Sequence, residues 1–240
     1  QAAQPGAASA PTAAGALAGG KGVNLSGLVV DPITREYELC FRCHADSVSR
    51  GPARVQRQFP QTNTRIEFFP SNRSYHPVIA TGKQTTSPSL IAPWTTSSLM
   101  YCTDCHNSDT GPNNGGTGAN GPHGSLYTPL LERNLRLTDN SAESTANYAL
   151  CYKCHSRSVV TGENSSSWRY HKKHVVEERT ACTTWHDPHG VVQNAHLINF
   201  NTLYVSQNGT APISFNDGAV GNRSCTLTCH GERHSTGMRY

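Results

Sequence analysis

The stretch Tyr148-Ala-Leu-Cys151-Tyr-Lys-Cys154-His155-Ser-Arg-Ser-Val159 sets the plan of the whole chain. Nearly the same residues occur at Tyr37-Glu-Leu-Cys40-Phe-Arg-Cys43-His44-Ala-Asp-Ser-Val48, where Tyr, Leu, both cysteines, His, Ser and the closing Val all agree. The Cys-x-x-Cys-His core returns at Cys102-Thr-Asp-Cys105-His106. A looser form, with one extra residue between the cysteines, stands at Cys225-Thr-Leu-Thr-Cys229-His230. One further copy is broken: in Cys182-Thr-Thr-Trp185-His186 a tryptophan occupies the place of the second cysteine.

On a short helical turn, positions i, i+3 and i+4 face the same way, so two thiols and one imidazole converge. A bare Cys-x-x-Cys also suits a zinc knuckle or a redox pair. The histidine that follows at once points instead to covalently attached haem, with both cysteines bonded to vinyl groups and the histidine on iron. The expected thioether residues are Cys40, Cys43, Cys102, Cys105, Cys151, Cys154, Cys225 and Cys229, and the expected proximal ligands are His44, His106, His155 and His230. Four haem c groups follow. At the broken copy at most one thioether can form, through Cys182, which would make a fifth. The expectation is four, with His186 or His189 acting as a distal ligand and Cys182 free or paired with another thiol.

Composition agrees with a cofactor-built interior. Leu, Ile, Val and Phe make up only about one residue in six, too few for an ordinary core, yet the formal charge of +4 is far from that of a disordered polyelectrolyte. Large apolar porphyrins would supply the missing core, and the chain should fold poorly without them. Twenty Lys and Arg against 16 Asp and Glu is no basic footprint and argues against nucleic acid. No apolar run is long enough to span a bilayer. Nine cysteines disfavour the cytosol. The Ala/Gly/Pro-rich Gln1 to Gly20 lacks the charged and apolar regions of a signal peptide and reads as the start of a mature exported chain. The expected location is secreted or at the cell surface, with the periplasm as the alternative.

The expected fold is mostly irregular, with a few short α-helices and minor β structure wrapped around haem. Residues 1–24 read as a flexible arm and 25–240 as a single unit. Within that unit, about 37–126 and about 148–191 look like a duplication, and 192–240 forms a tail carrying the stretched site. Short strands are expected near Leu28 to Val30, Arg65 to Pro70 and Ala195 to Val205.

Doubled Cys-x-x-Cys-His motifs with an intervening His76-Pro77 and the trailing Pro122-His123-Gly124 and Pro188-His189-Gly190 resemble the multihaem cytochromes c of metal-reducing prokaryotes. The resemblance runs from about Tyr37 to Tyr240. Size and haem number are most similar to the extracellular tetrahaem cytochromes that polymerise into conductive filaments. The resemblance implies bis-histidine haems, with distal ligands drawn from His76, His123, His174 and His189 and with His171, His186, His196 and His234 in reserve. It also implies contact with other copies of the chain and with redox proteins or extracellular electron acceptors. Twelve histidines less four proximal ones leave eight for four distal positions. Iron saturated in this way has no open position for a substrate, so electron transfer is expected and catalysis is not. The rival is a multihaem reductase with one open haem, for which Lys153 inside the third motif is the candidate ligand.

Overall fold

The computed structural model describes residues 12, 13, 15–46, 53–162, 168–219, 222–235 and 238. The chain is mostly irregular, with short helices and small sheets, as expected from its composition. The longest described helix, α1 (Glu36–His44), ends on the first haem motif. Its start is fixed by the Glu38 carboxylate, which accepts the Thr34 and Arg35 N–H groups at 2.7 and 2.9 Å and so satisfies donors left over at the helix end. Ahead of it, β1 (Gly22–Val23) pairs antiparallel with β2 (Val29–Val30). A side chain at Gly22 would come within 2.4 Å of the Glu38 carbonyl oxygen, so only glycine lets β1 lie on α1. The last residues of the expected arm are thus packed; residues 1–11 and 14 of that arm lie outside the described residues.

The strand expected at Arg65 to Pro70 is instead a helical turn, α2 (Thr64–Glu67). Asn63 Oδ1 accepts the Arg65 N–H at 3.0 Å, an N-cap that turns the backbone before extended structure can begin. β3 (Ser74–Tyr75) lies next to the His76-Pro77 segment. In the second half, α3 (Arg157–Thr161) is capped by Ser156, Lys172–Glu177 forms a π-helical turn, and α4 (Cys182–Trp185) carries the broken motif. β4 (Gly190–Val191) then pairs antiparallel with β3, Tyr75 opposite Gly190, and ties the halves together.

The tail forms a four-stranded sheet. Its central strand β7 (Ser224–Cys229) lies between β5 (Val205–Ser206) and β6 (Ser214–Asn216), with β8 (Glu232–His234) also on β7. Of the strand expected over Ala195 to Val205, only Val205 belongs to a sheet strand, with isolated bridges at Ile198 and Asn201. The remainder turns back on itself, with Ile198 N–H donating to Ala195 O and Tyr204 N–H to Asn201 O.

Two small apolar clusters replace a single core. One gathers Tyr37, Phe41, Phe68, Tyr75, Val78 and Met100, with Cys102 and Cys105 at its edge. The other gathers Tyr148, Val175, Trp185, Phe200, Val205 and Leu227, with Tyr152, Cys182, Cys225 and Cys229 at its edge. Tyr37 and Tyr148, and likewise Phe41 and Tyr152, are equivalent positions of the repeated motif. Among the described residues, no helix is long and apolar enough to cross a membrane.

Candidate haem sites

Three copies of the motif close the same turn. The histidine N–H donates to the carbonyl of the cysteine four residues earlier in His106–Cys102, His155–Cys151 and His186–Cys182, at 2.9, 3.0 and 2.9 Å. Cysteine and histidine side chains therefore share one face, and Trp185 occupies the position held by Cys105 and Cys154. Each half also brings the first cysteines of its two motifs together: the Cys40 and Cys102 sulfurs lie within 4.8 Å of each other, and Cys182 stands beside Cys151. The fourth full motif differs. Cys225 and Cys229 lie on β7, where alternate side chains share a face, and both thiols meet the second apolar cluster with Leu227. Extended backbone puts their α-carbons about 13 Å apart, against the roughly 6 Å between neighbouring side chains on a helical turn.

Six of the thiols are held neutral. Burial pushes Cys105 and Cys225 up to about 12 and Cys154 and Cys229 up to about 11. Cys102 and Cys151 are driven up by the neighbouring thiols of Cys40 and Cys182 and by burial. Zinc ligation and thiol redox catalysis both use thiolate, so this environment fits neither.

The histidines sort themselves by which ring nitrogen is engaged. Nδ1 donates to a backbone carbonyl in His106 (Pro129 O, 3.1 Å), His186 (His196 O, 2.9 Å), His76 (Pro188 O, 2.5 Å) and His174 (Tyr170 O, 2.8 Å). In His189 it meets Glu67 Oε2 at 2.9 Å, and in His155 it meets Ser89 Oγ at 2.8 Å. A carbonyl or carboxylate can only accept, so Nδ1 carries the proton and the metal-directed lone pair is on Nε2, the arrangement of a ligating imidazole. The carbonyls are aimed at a cost: Leu130, beside the Pro129 acceptor, and His196 with Leu197 all have left-handed backbones, φ 60°, 57° and 59°.

These rings face one another in pairs. His106 and His189 have ring centres 6.1 Å apart, His171 and His186 6.2 Å, and His174 and His234 6.1 Å. An iron with nitrogens about 2 Å away on each side, and about 1 Å more to each ring centre, needs centroids about 6 Å apart, a separation that these three pairs match. His155 has His76 and His186 close enough to act on its charge. Burial first, and these neighbours second, hold the imidazoles neutral: His106, His155 and His186 near 4, and His171 near 3. The pairing crosses the duplication, because His189 of the second half faces His106 of the first and His76 of the first half lies near His155 of the second.

Other expected ligands are placed differently. His230 turns its Nε2 onto Asp139 Oδ2 at 2.7 Å, and His234, on the same face of the tail sheet as Leu227, is the residue that meets His174. His196 engages Asp217 through Nε2 at 3.0 Å. His123 is exposed, and so are Cys43 and His44. The two Pro-His-Gly segments are therefore not equivalent. A side chain at Gly190 would meet the Glu67 carbonyl oxygen at 2.0 Å, whereas Gly124 faces open space. Sequence reading missed the supports: Glu67, Asp139 and above all Arg57. The Arg57 guanidinium donates to the carbonyls of Thr183, Asn199 and His186 at 2.8, 2.8 and 2.9 Å and pairs with Asp187 at 3.3 Å. An arginine in a loop carries no sequence mark of such a role. Lys153 is committed to Glu132 at 2.9 Å and the Asp104 carbonyl at 2.7 Å. No family model, curated protein or solved structure matches the chain.

Proposed function

We propose that the chain is an electron carrier that holds several bis-histidine haem c groups close together and turns over no substrate. The observation that carries this reading is the set of facing imidazoles about 6 Å apart beside motif cysteines, with Nδ1 anchored wherever the anchor is seen. Haem iron, when bound, supplies one-electron exchange between its ferric and ferrous states. The protein's own contribution is to fix both axial nitrogens, to hold the rings neutral by burial, and to pack the motifs so that neighbouring centres share cysteines in contact. The sulfur contacts Cys40–Cys102 and Cys151–Cys182 support two close-spaced pairs of sites, one in each half. The engagement of Lys153 with Glu132 and the Asp104 carbonyl weighs against the reductase reading, which needs that amine at an open iron. Exposure of the reduced protein to carbon monoxide tests the point: the spectrum should not change, and a stoichiometric carbon monoxide complex would establish an open site. Redox titration should give several overlapping low-potential waves, because imidazole pairs favour the ferric state more than a thioether ligand does.

We further propose that the carrier works outside the cell or at its surface as a homopolymer. Cys43 and His44 are exposed at the end of α1, so a haem there would be covered on one side only by its own chain. A second copy packed head to tail would cover it, and such a contact propagates when it does not close. One distal ligand, with His123 on its exposed loop as the candidate, would then cross that contact. Sedimentation and negative-stain microscopy decide between this and a monomeric periplasmic shuttle: long assemblies are expected, and a uniform monomer at high concentration, one 25.9 kDa polypeptide with its haems, would reject them.

A further inference from the structure

Resting on the haem reading above, we infer that the broken motif Cys182-Thr-Thr-Trp185-His186 is itself a haem site, held by one thioether through Cys182 with His186 and His171 as its axial ligands. This places a haem where the sequence alone predicted a vacated site that lends its histidine elsewhere. Four observations weigh against that expectation.

The turn is intact. His186 N–H donates to Cys182 O at 2.9 Å, as in the two regular copies at His106 and His155, so loss of the second cysteine has not unwound the segment. The imidazole is presented as a proximal ligand, with Nδ1 donating to His196 O at 2.9 Å across a backbone strained at two consecutive residues. Across from it stands His171, its ring centre 6.2 Å from that of His186, the same separation as the His106–His189 and His174–His234 pairs. Finally, Cys182 stands beside Cys151 as Cys102 stands beside Cys40, so the broken site keeps the place that the intact second site holds in the first half. Trp185 fills the other thioether position without blocking it with charge: its indole is buried against Trp168 and His174, at centroid distances of 5.8 and 4.9 Å.

The covalent step needs no further reagent. The Cys182 thiol adds across one vinyl group: sulfur bonds to the carbon next to the porphyrin ring, the thiol hydrogen ends on the outer carbon, and the vinyl π bond is consumed. No oxidant enters and no group leaves. The second vinyl, lacking a partner at Trp185, stays conjugated with the ring.

The sequence supplies a clean test. Trypsin cleaves after Arg179 and Arg223, and the peptide between them, 180–223, contains Cys182 as its sole cysteine. Mass spectrometry of the digested holoprotein should find one haem on that peptide, with a haemochrome band to the red of the two-thioether peptides because one vinyl remains. An unmodified peptide 180–223, or one cross-linked through Cys182 to Cys151, overturns the proposal. If the peptides of Cys40, Cys102 and Cys151 still carry haem, the electron-carrier reading survives that result; if none does, both fail. In His171→Ala holoprotein one low-spin haem per chain should become high-spin, and an unchanged spin state removes His171 from the assignment.

Discussion

At the scale of the residue, the second nitrogen of each imidazole matters as much as the first. His189 differs from the other anchored histidines because its Nδ1 meets a carboxylate, Glu67, rather than a carbonyl or a hydroxyl. A charged acceptor makes the ring a stronger donor to iron and favours the ferric state. Glu67→Gln should therefore raise the midpoint of one haem by roughly 40 mV, about 1 kcal/mol for one electron, and leave the others in place on a redox titration. Proton linkage follows from the same burial. His106, His155 and His186 stand near 4 in the folded chain against 6.5 in the unfolded one, so between those values the unfolded state binds protons that the folded state refuses. Their contribution to stability is whole above pH 6.5 and is lost as pH falls toward 4, at up to about 1.4 kcal/mol per pH unit for each group. Iron on Nε2 acts in the same direction. Denaturant midpoints measured from pH 8 down to 4 should be flat at first and then fall.

At the scale of the element, the motifs were legible in the sequence and their supports were not. Three adjacent residue types at fixed spacing dictate a helical turn, and the turns at Cys102, Cys151 and Cys182 formed where the spacing required them. Pairing of ligands depends on contacts across the chain that no local pattern records. The β3–β4 pair that brings His76 beside Pro188 and His189 is two residues long on each side. Its glycine was visible as part of Pro-His-Gly, but the reason for it, the Glu67 backbone against it, was not. Gly190→Ala should push β4 off α2 and destabilise the protein by about 1–3 kcal/mol in thermal or denaturant unfolding, while Gly82→Ala, with open space before it and no left-handed backbone, should not. The tail departs from the other motifs for a different reason. One extra residue between Cys225 and Cys229 is enough to let the segment join a sheet, and the sheet presents His234 in place of His230. His234→Ala should convert one haem to high spin, and His230→Ala should leave the spin state unchanged while weakening the link to Asp139.

At the scale of the whole molecule, the buried apolar residues gather in two small clusters among scattered short elements, as the proposed haem-built core would require. The duplication is not a pair of beads on a string. His189→Ala, a change in the second half, should turn high-spin the haem attached at Cys102 in the first, and a low-spin spectrum there would break the proposed crossing of ligands. That crossing has a consequence for how the protein is made. A chain exported from its amino terminus presents Cys102, Cys105 and His106 long before His189 emerges, so the second haem would be stitched on and then wait, half-ligated and open to small molecules, until the later half arrived to close it. Maturation would pass through a stage more reactive than the product, and the time spent there would be set by the speed of translocation.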